Sequence, residues 1–364
     1  MQTLIKHEIQ RCYLKREKPL IEIDGSKKSG SGTILRLAVA LAAVAKQPLH
    51  IYNIRQNRPK PGLMPQHLEA VLTAAKLCNA KIKGAALGSR ELWFEPQEIR
   101  GGDFEAEIGT AGSIPMLLMA AMPICVLAKN RVRLHVAKGG TDVTHAPTIN
   151  YMRHVFLSML KRMGLEVAIT VQKYGYYPKG MGEVTMTVEP ASLQSFRLEK
   201  FGQLKSIKGI SVCTFLSEKK VAERQAKAAK EFLAKSGYAA DIQVENDRSN
   251  PLQKGSSIVL WAETDTGAII GADAIGAIKK PSEAVGREAA EKLTAELSVK
   301  PTVDVYLTDM LIPYMALAEG TSAFLTRTVS DHLETNIWLT EKILGVKFSI
   351  QKSGCLFKIE KHGQ

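Results

Sequence analysis

Between Leu20 and Pro96 the chain switches between two hydrophobic periods. LIEID and LHIYNI read as short strands, whereas GTILRLAVALAAVA reads as an apolar helix. QHLEAVLTAAKLC places Leu68, Val71, Leu72 and Ala75 at i, i+3, i+4 and i+7, the stripe of a helix packed on one side. Two further strands, around AKIKG and ELWFEP, complete the order βαβαββ.

That order recurs. DFEAEI, SIPMLLMAAMPICVLA, RVRLHVA, TINYMRHVFLSMLKRMG, LEVAITVQ and GEVTMTVE repeat it over residues 103–189. VDVY, LTDMLIPYMALA, SAFLTRT, HLETNIWLTEKIL, VKFSIQ and CLFKIE repeat it again from Val303 to Glu360. Three copies point to an internal repeat. Residues 199–299 have another order, βαβββα, and enough apolar positions for a small core of their own. The expected fold is α/β of the α+β type. Three βαβαββ units over 20–198 and 300–364 form a large domain, a smaller α/β domain is inserted at 199–299, and residues 1–19 make a basic N-terminal extension.

The 364 residues allow about two domains, and an apolar content of 45% marks a globular chain. Lysine and arginine outnumber aspartate and glutamate by 49 to 36, a formal charge of +13, which favours polyanionic partners without excluding a merely basic soluble protein. Five scattered cysteines with no CxxC pair argue against a disulfide scaffold or a zinc site and for a reducing, cytoplasmic compartment. The longest apolar run carries two prolines and is too short to span a membrane, so it reads as a buried helix.

Candidate chemistry sits in the loops. DGSKKSGSG, from Asp24, leads into an apolar helix, as an anion-binding loop does, although such a segment is also a common flexible turn. NIRQNRPKPGLMPQHL holds Arg55, Arg58 and Lys60 within six residues, stiffened by Pro59, Pro61 and Pro65. That density of cations suits phosphate and equally suits a solvated basic loop. In each unit a histidine lies near the start of the second helix: His67, His145 and His332. A helix starting at Pro147 accounts for the second of these segments. Tyr306 and Asp309 become neighbours if helical, able to stack on and hydrogen-bond a nucleoside or simply to pack and cap. Asp331 and Glu334 resemble a capping box, which puts His332 in a first helical turn, where the dipole favours neutral imidazole.

Taken together, IDG…G.G.ILR, NIR..RPKPGL..QHL, ALGSREL, RGGDFE..IGTAGS, GGTD…AP, G.YP.G.GEV, YL.D.L.P.ALA and H..TN resemble the RNA 3'-terminal phosphate cyclase family from about Ile21 onward. The resemblance implies an ATP-dependent enzyme of the ligase class. It converts an RNA 3'-terminal phosphate to a 2',3'-cyclic phosphate through a histidine–AMP intermediate and an RNA–adenylate anhydride. It implies His332 as the nucleophile, Tyr306 and Pro147 around adenine, and Asp309 on the nucleotide. Arg36, Arg55, Arg58 and Gln66 are then expected at the phosphate and RNA end. The implied partners are ATP, an RNA 3'-phosphate end and a divalent metal, Mg or Mn, with no membrane.

Three positions depart from the family pattern. Ser29 stands where the family usually carries a metal-binding glutamate, and Met119 and Met310 stand where glutamines are usual. Lys27 or Lys28 is a candidate to neutralise phosphate in the metal's place. The alternative these departures favour is a catalytically impaired, cyclase-like RNA-binding protein acting in RNA processing or ribosome assembly.

Overall fold

A computed structural model describes residues 19–363, so the expected basic extension, apart from Pro19, lies outside the described residues. Strands β1 (Ile21–Asp24) and β2 (Leu49–Tyr52) run parallel, with Ile23 beside Ile51. Helix α1 (Gly32–Ala45) connects them. Helix α2 (Pro65–Cys78) leads on to β3 (Lys81–Lys83) and β4 (Leu92–Glu95), and the sheet order is β1-β2-β4-β3. Ser31 caps α1 by accepting from the Thr33 N–H, and Lys46 closes it in the left-handed conformation. On α2 Val71 and Ala75 are buried together with Ala70, Ala74, Leu77 and Cys78, while Leu68 and Leu72 are half-buried at the margin.

A second sheet has the same strand order with β5 (Gly102–Glu107), β6 (Val132–Gly139), β7 (Val167–Lys173) and β8 (Gly182–Val188): β5-β6-β8-β7. The proline-bearing apolar run forms the buried helix α3 (Ile114–Cys125). Beyond β6, the helix expected at Pro147 instead starts two residues later. Thr148 is its N-cap, α4 spans Ile149–Tyr151, a π-helical turn occupies Met152–Phe156, and α5 runs Leu157–Arg162.

In the C-terminal segment VDVY is not a strand. Val303 makes only an isolated bridge to Ile269, and the chain then turns into a helix. The strand expected there is supplied from far earlier in the chain. β9 (Arg197–Leu198) runs parallel to β14 (Ser322–Thr326), which pairs with β16 (Leu356–Lys361) and through it with β15 (Phe348–Ser353). Buried Asp304 accepts from the N–H groups of Tyr306 and Leu307, an N-capping arrangement that turns the backbone out of extended form, and is held there by donors from distant Tyr151 and Gly271.

Residues 204–275 contribute a fourth sheet of β10 (Leu204–Thr214), β11 (Asp241–Asp247), β12 (Gly255–Thr264) and β13 (Ile269–Ile275). Helices α6 (Val221–Lys235) and α7 (Ser282–Val299) pack on one side of it, around a core that includes Leu233, Ile258 and Leu293. Its other face joins the main core through Val212, Val259 and Trp261, the last stacked on His154 at 4.7 Å. The architecture is thus mixed α/β, built of small mixed sheets and helices. Among the described residues no helix is long and apolar enough to cross a membrane.

Candidate functional site

The starts of five helices meet around one cleft of about 1170 Å³. Ser31, Gly32 and Thr33 come from α1, Gln66 and His67 from α2, and Ser113 and Met116 from α3. Tyr306 and Asp309 come from α8 (Leu307–Leu317), and Ser330 and His332 from α9 (Asp331–Leu344). Each helix start presents unpaired N–H groups and the positive end of a dipole, so their convergence favours an anion.

His332, Tyr306, Asp309, Pro147, Arg36, Arg55, Arg58 and Gln66 all line this cleft, as do Met119, Met310 and the histidines His67 and His145. Ser29, Lys27 and Lys28 do not. Lys28 instead lies 3.7 Å from Glu334, and the Ser29 N–H donates to the Thr335 hydroxyl at 3.2 Å, which seats the loop against α9.

The cap of α9 is Ser330, whose hydroxyl accepts from the Leu333 N–H at 3.1 Å, and not the expected Asp331. The one-residue shift leaves His332 in the first turn. Its Nδ1 lies 3.5 Å from the Thr33 hydroxyl, while Nε2 has no protein hydrogen-bond partner among the described residues. Desolvation in the cleft, then the Arg36 and Arg58 guanidinium groups, lower its pKa below the usual imidazole value against a smaller opposing effect of Asp331. The ring is therefore held neutral, with one nitrogen free to act as a nucleophile.

The arginines divide their work. Burial and then Arg55 lower the Arg36 pKa to about 10, which still leaves it charged at neutral pH. Arg55 adopts left-handed backbone (φ 54°) and donates to the carbonyls of Lys60 and Gly62, both at 2.7 Å, bracing its own loop. Arg58 donates to the Ser29 carbonyl at 3.3 Å and so joins the two loops. Gln66 accepts from the Ser113 N–H at 2.9 Å, tying α2 to α3. His67 is buried, and its Nδ1 accepts from the Met64 N–H at 3.3 Å, which assigns the proton to Nε2. Burial, Arg36 and Arg55 lower its pKa to about 3. It is a neutral hydrogen-bond donor beside Gly32, where an added Cβ would come within 2.2 Å of Nε2.

Sequence reasoning missed Asp304. Fully buried, it accepts from the Tyr151 hydroxyl at 2.7 Å, from the Gly271 N–H at 2.8 Å and from the Tyr306 and Leu307 N–H groups at 3.0 Å each. Tyr306 is thereby held at the cleft while 47% exposed, a free aromatic face. Burial raises the carboxyls of Asp304 and Asp309 to about 7. Asp273, Glu288 and Lys292 also enter the cleft wall from residues 199–299, with Lys292 ion-paired to Glu288 at 2.8 Å. Nothing in their local sequence marks them.

Two atoms of the cleft wall, Asn336 Oδ1 and Tyr314 Oη, are buried without a hydrogen-bond partner. Polar atoms left so cost about 1–3 kcal/mol each unless a ligand or water meets them. An exposed aromatic, a carboxyl raised by burial and five helix starts give this wall both a stacking face and an anion-favouring end. A protein-held divalent ion fits poorly. Among the described residues no three of His, Cys, Asp or Glu converge. The Ser29 hydroxyl is 3.1 Å from that of Ser31, and the Asp24 carboxylate accepts from Ser26 and Asn53.

This mixed α/β chain gathers helix starts, arginines and a neutral histidine in one cleft, a combination whose charge suits phosphate groups. The model of the RNA 3'-terminal phosphate cyclase family matches residues 27–350. An RNA 3'-terminal phosphate cyclase from Pyrobaculum neutrophilum is 46% identical over 344 residues, covering 94% of this chain and 98% of its own. Those from Methanosarcina acetivorans and Pyrococcus furiosus are each 43% identical, covering 93% and 91% of this chain and 99% and 95% of their own. This chain belongs to the RNA 3'-terminal phosphate cyclase family.

Proposed function

We propose that this chain converts RNA 3'-terminal phosphates to 2',3'-cyclic phosphates at the expense of ATP, with His332 as nucleophile. The observation that carries the reading is His332 itself: a neutral imidazole with Nε2 unpartnered, at a helix start, in one cleft with Arg36, Arg58, Tyr306 and Asp309. Nε2 bonds to the α-phosphorus of ATP while the bond to the bridging oxygen breaks and pyrophosphate leaves. An oxygen of the RNA 3'-phosphate then displaces the imidazole and forms the RNA–adenylate anhydride. The neighbouring 2'-oxygen attacks the RNA phosphorus, gives up its proton to solvent, and expels AMP. Splitting the activation in this way exchanges one hard step for easier transfers.

In this reading Tyr306 stacks on adenine opposite Pro147, and Asp309 bonds the nucleoside. Arg36, Arg58 and the helix starts stabilise charge growing on the transferring phosphates. The chemistry runs on cations and dipoles of the chain, with Gln66 and Arg55 bracing the loops that carry them. The fold that accompanies this proposal is three βαβαββ units over 20–198 and 300–364 with an insert at 199–299, acting in a reducing cytoplasm. Its support is the shared strand order of the first two sheets and the separate core of residues 201–297.

Incubation with α-labelled ATP tests the activity. Acid-labile label on the wild-type protein and none on His332→Ala is expected; label persisting in the variant overturns the assignment. The poor fit for a protein-held metal favours a second reading, an RNA-binding relative that has lost turnover. Salt-dependent RNA binding with no label and no cyclic end selects it.

A further inference from the structure

The segment GYYPKGMGEV takes no part in the cleft, yet it is built with unusual care. Glycines pack backbone against backbone beneath it: a Cβ on Gly175 would meet the Gly139 carbonyl at 2.3 Å and the Gly182 nitrogen at 2.5 Å. The turn above is closed by the Gly180 N–H donating to the Tyr176 carbonyl at 2.7 Å. Gly180 has φ +73°, and a Cβ there would lie 2.9 Å from the Ala111 Cα. Only glycine allows this approach. From the other side Asn250 donates to the carbonyls of Tyr174 and Gly180 at 2.6 and 3.2 Å. Gln253 accepts from the Lys179 N–H at 3.2 Å and donates to the Tyr177 and Lys254 carbonyls at 3.0 Å.

The product of this construction is an aromatic ring displayed to solvent. Tyr177 is 79% exposed and Leu252, on the adjoining loop, 56% exposed, whereas the neighbouring Tyr174 and Tyr176 are buried. Lys179 and Lys254 are exposed beside it, and neither is ion-paired among the described residues. The platform is continuous with the cleft. A Cβ on Gly180 would lie 2.9 Å from the Ala111 Cα, a Cβ on the next residue, Gly112, would come within 2.7 Å of the Gln66 side chain, and Gln66 lines the cleft.

We propose that this Tyr177 platform is the binding surface for the single-stranded RNA that precedes the terminal phosphate. One base stacks on Tyr177, and Lys179 and Lys254 meet the adjoining phosphates. A solvent-exposed ring on a rigid loop, flanked by unpaired cations, is what sequence-tolerant binding of a single strand requires, because every base has a stacking face and every link a charge. Continuity with Gln66, which the family resemblance sets at the RNA end, puts the strand on that side of the cleft. The inference rests on the cyclase reading for the identity of the polymer, and its test separates the two.

The measurement is fluorescence anisotropy of 5'-labelled RNA carrying a 3'-phosphate, as a dinucleotide and as a decanucleotide, with full-length protein. Tyr177→Ala is expected to weaken the decanucleotide roughly tenfold or more, the size of one lost stack, and to leave the dinucleotide unchanged. Tyr177→Phe retains wild-type affinity. Replacing Lys179 and Lys254 by glutamine reduces the slope of log Kd against log salt by roughly 1.4, about 0.7 per phosphate contact. Equal affinity of wild type and Tyr177→Ala for the decanucleotide overturns the proposal, as does a loss shared by the dinucleotide. A change of oligomeric state on sedimentation with RNA affinity intact also overturns it, assigning the ring to a second copy instead. Labelling by α-labelled ATP alone stays at the wild-type level in Tyr177→Ala, which controls for folding. Length-dependent RNA binding without labelling leaves the platform standing and removes the cyclase reading; labelling without length dependence does the reverse.

Discussion

The hydroxyl of Thr33 lies 3.5 Å from Nδ1 of His332, two side chains 299 positions apart in the chain, each on the first turn of its own helix. This contact sits at the outer edge of hydrogen-bond distance. In the proposed mechanism Nδ1 donates to the Thr33 hydroxyl, which leaves Nε2 for chemistry. Thr33→Val is expected to slow labelling by ATP roughly two- to tenfold, the worth of one positioning hydrogen bond. Single-turnover labelling checks this, with thermal stability unchanged.

In the proposed mechanism the acid limb of labelling reports His332. Its pKa lies below the usual imidazole value because of desolvation, Arg36 and Arg58. The nucleophile is the neutral form, so labelling persists below the pH where a free histidine would protonate and is lost only as pH falls through the lowered value. Arg58→Gln removes one of the cations, so the midpoint of that limb moves upward. A rate-against-pH profile whose midpoint stays put in Arg58→Gln contradicts the account.

Gly32 packs tightly in the cleft wall, since an added Cβ would lie 2.2 Å from His67 Nε2 and 2.9 Å from an Arg36 nitrogen. Gly32→Ala therefore displaces both groups. It should cost about 1–3 kcal/mol in urea denaturation, the usual range for overpacking, and weaken ATP binding by calorimetry.

Asp309 trades stability for its place in the cleft. Burial raises its carboxyl from 3.8 to about 7, so between those values the folded state keeps a proton that the unfolded chain releases. Stability from this group is full below pH about 4 and is lost as pH rises through 7. Asp309→Asn is expected to melt with the wild type near pH 4 and at a higher temperature at pH 8, while binding ATP less tightly. Parallel melting curves at the two pH values would rule this out.

Much of the fold was legible from periodicity and caps, because both are set by residues a few positions apart. The apolar helix after Asp24, the run with two prolines and the first turn around His332 all form where the pattern places them. VDVY failed as a strand for a non-local reason: its hydrophobic alternation is overridden by Asp304, whose acceptors are satisfied by donors from Tyr151, Gly271, Tyr306 and Leu307. The edge it would have filled goes to Arg197–Leu198.

The site divides along the same line. Residue types and spacing alone marked the loops of Arg55, Arg58 and His332 as candidates for anion binding, and the family resemblance added Arg36 and Gln66, since cations, glycines and helix starts are local features; all five line the cleft. Only the tertiary structure decided that five helix starts share one cleft, that Ser29 bonds Ser31 instead of facing it, and that Asp273, Glu288 and Lys292 join the wall. Those outcomes depend on packing between segments distant in the chain, and no short-range pattern encodes the distance between two helices.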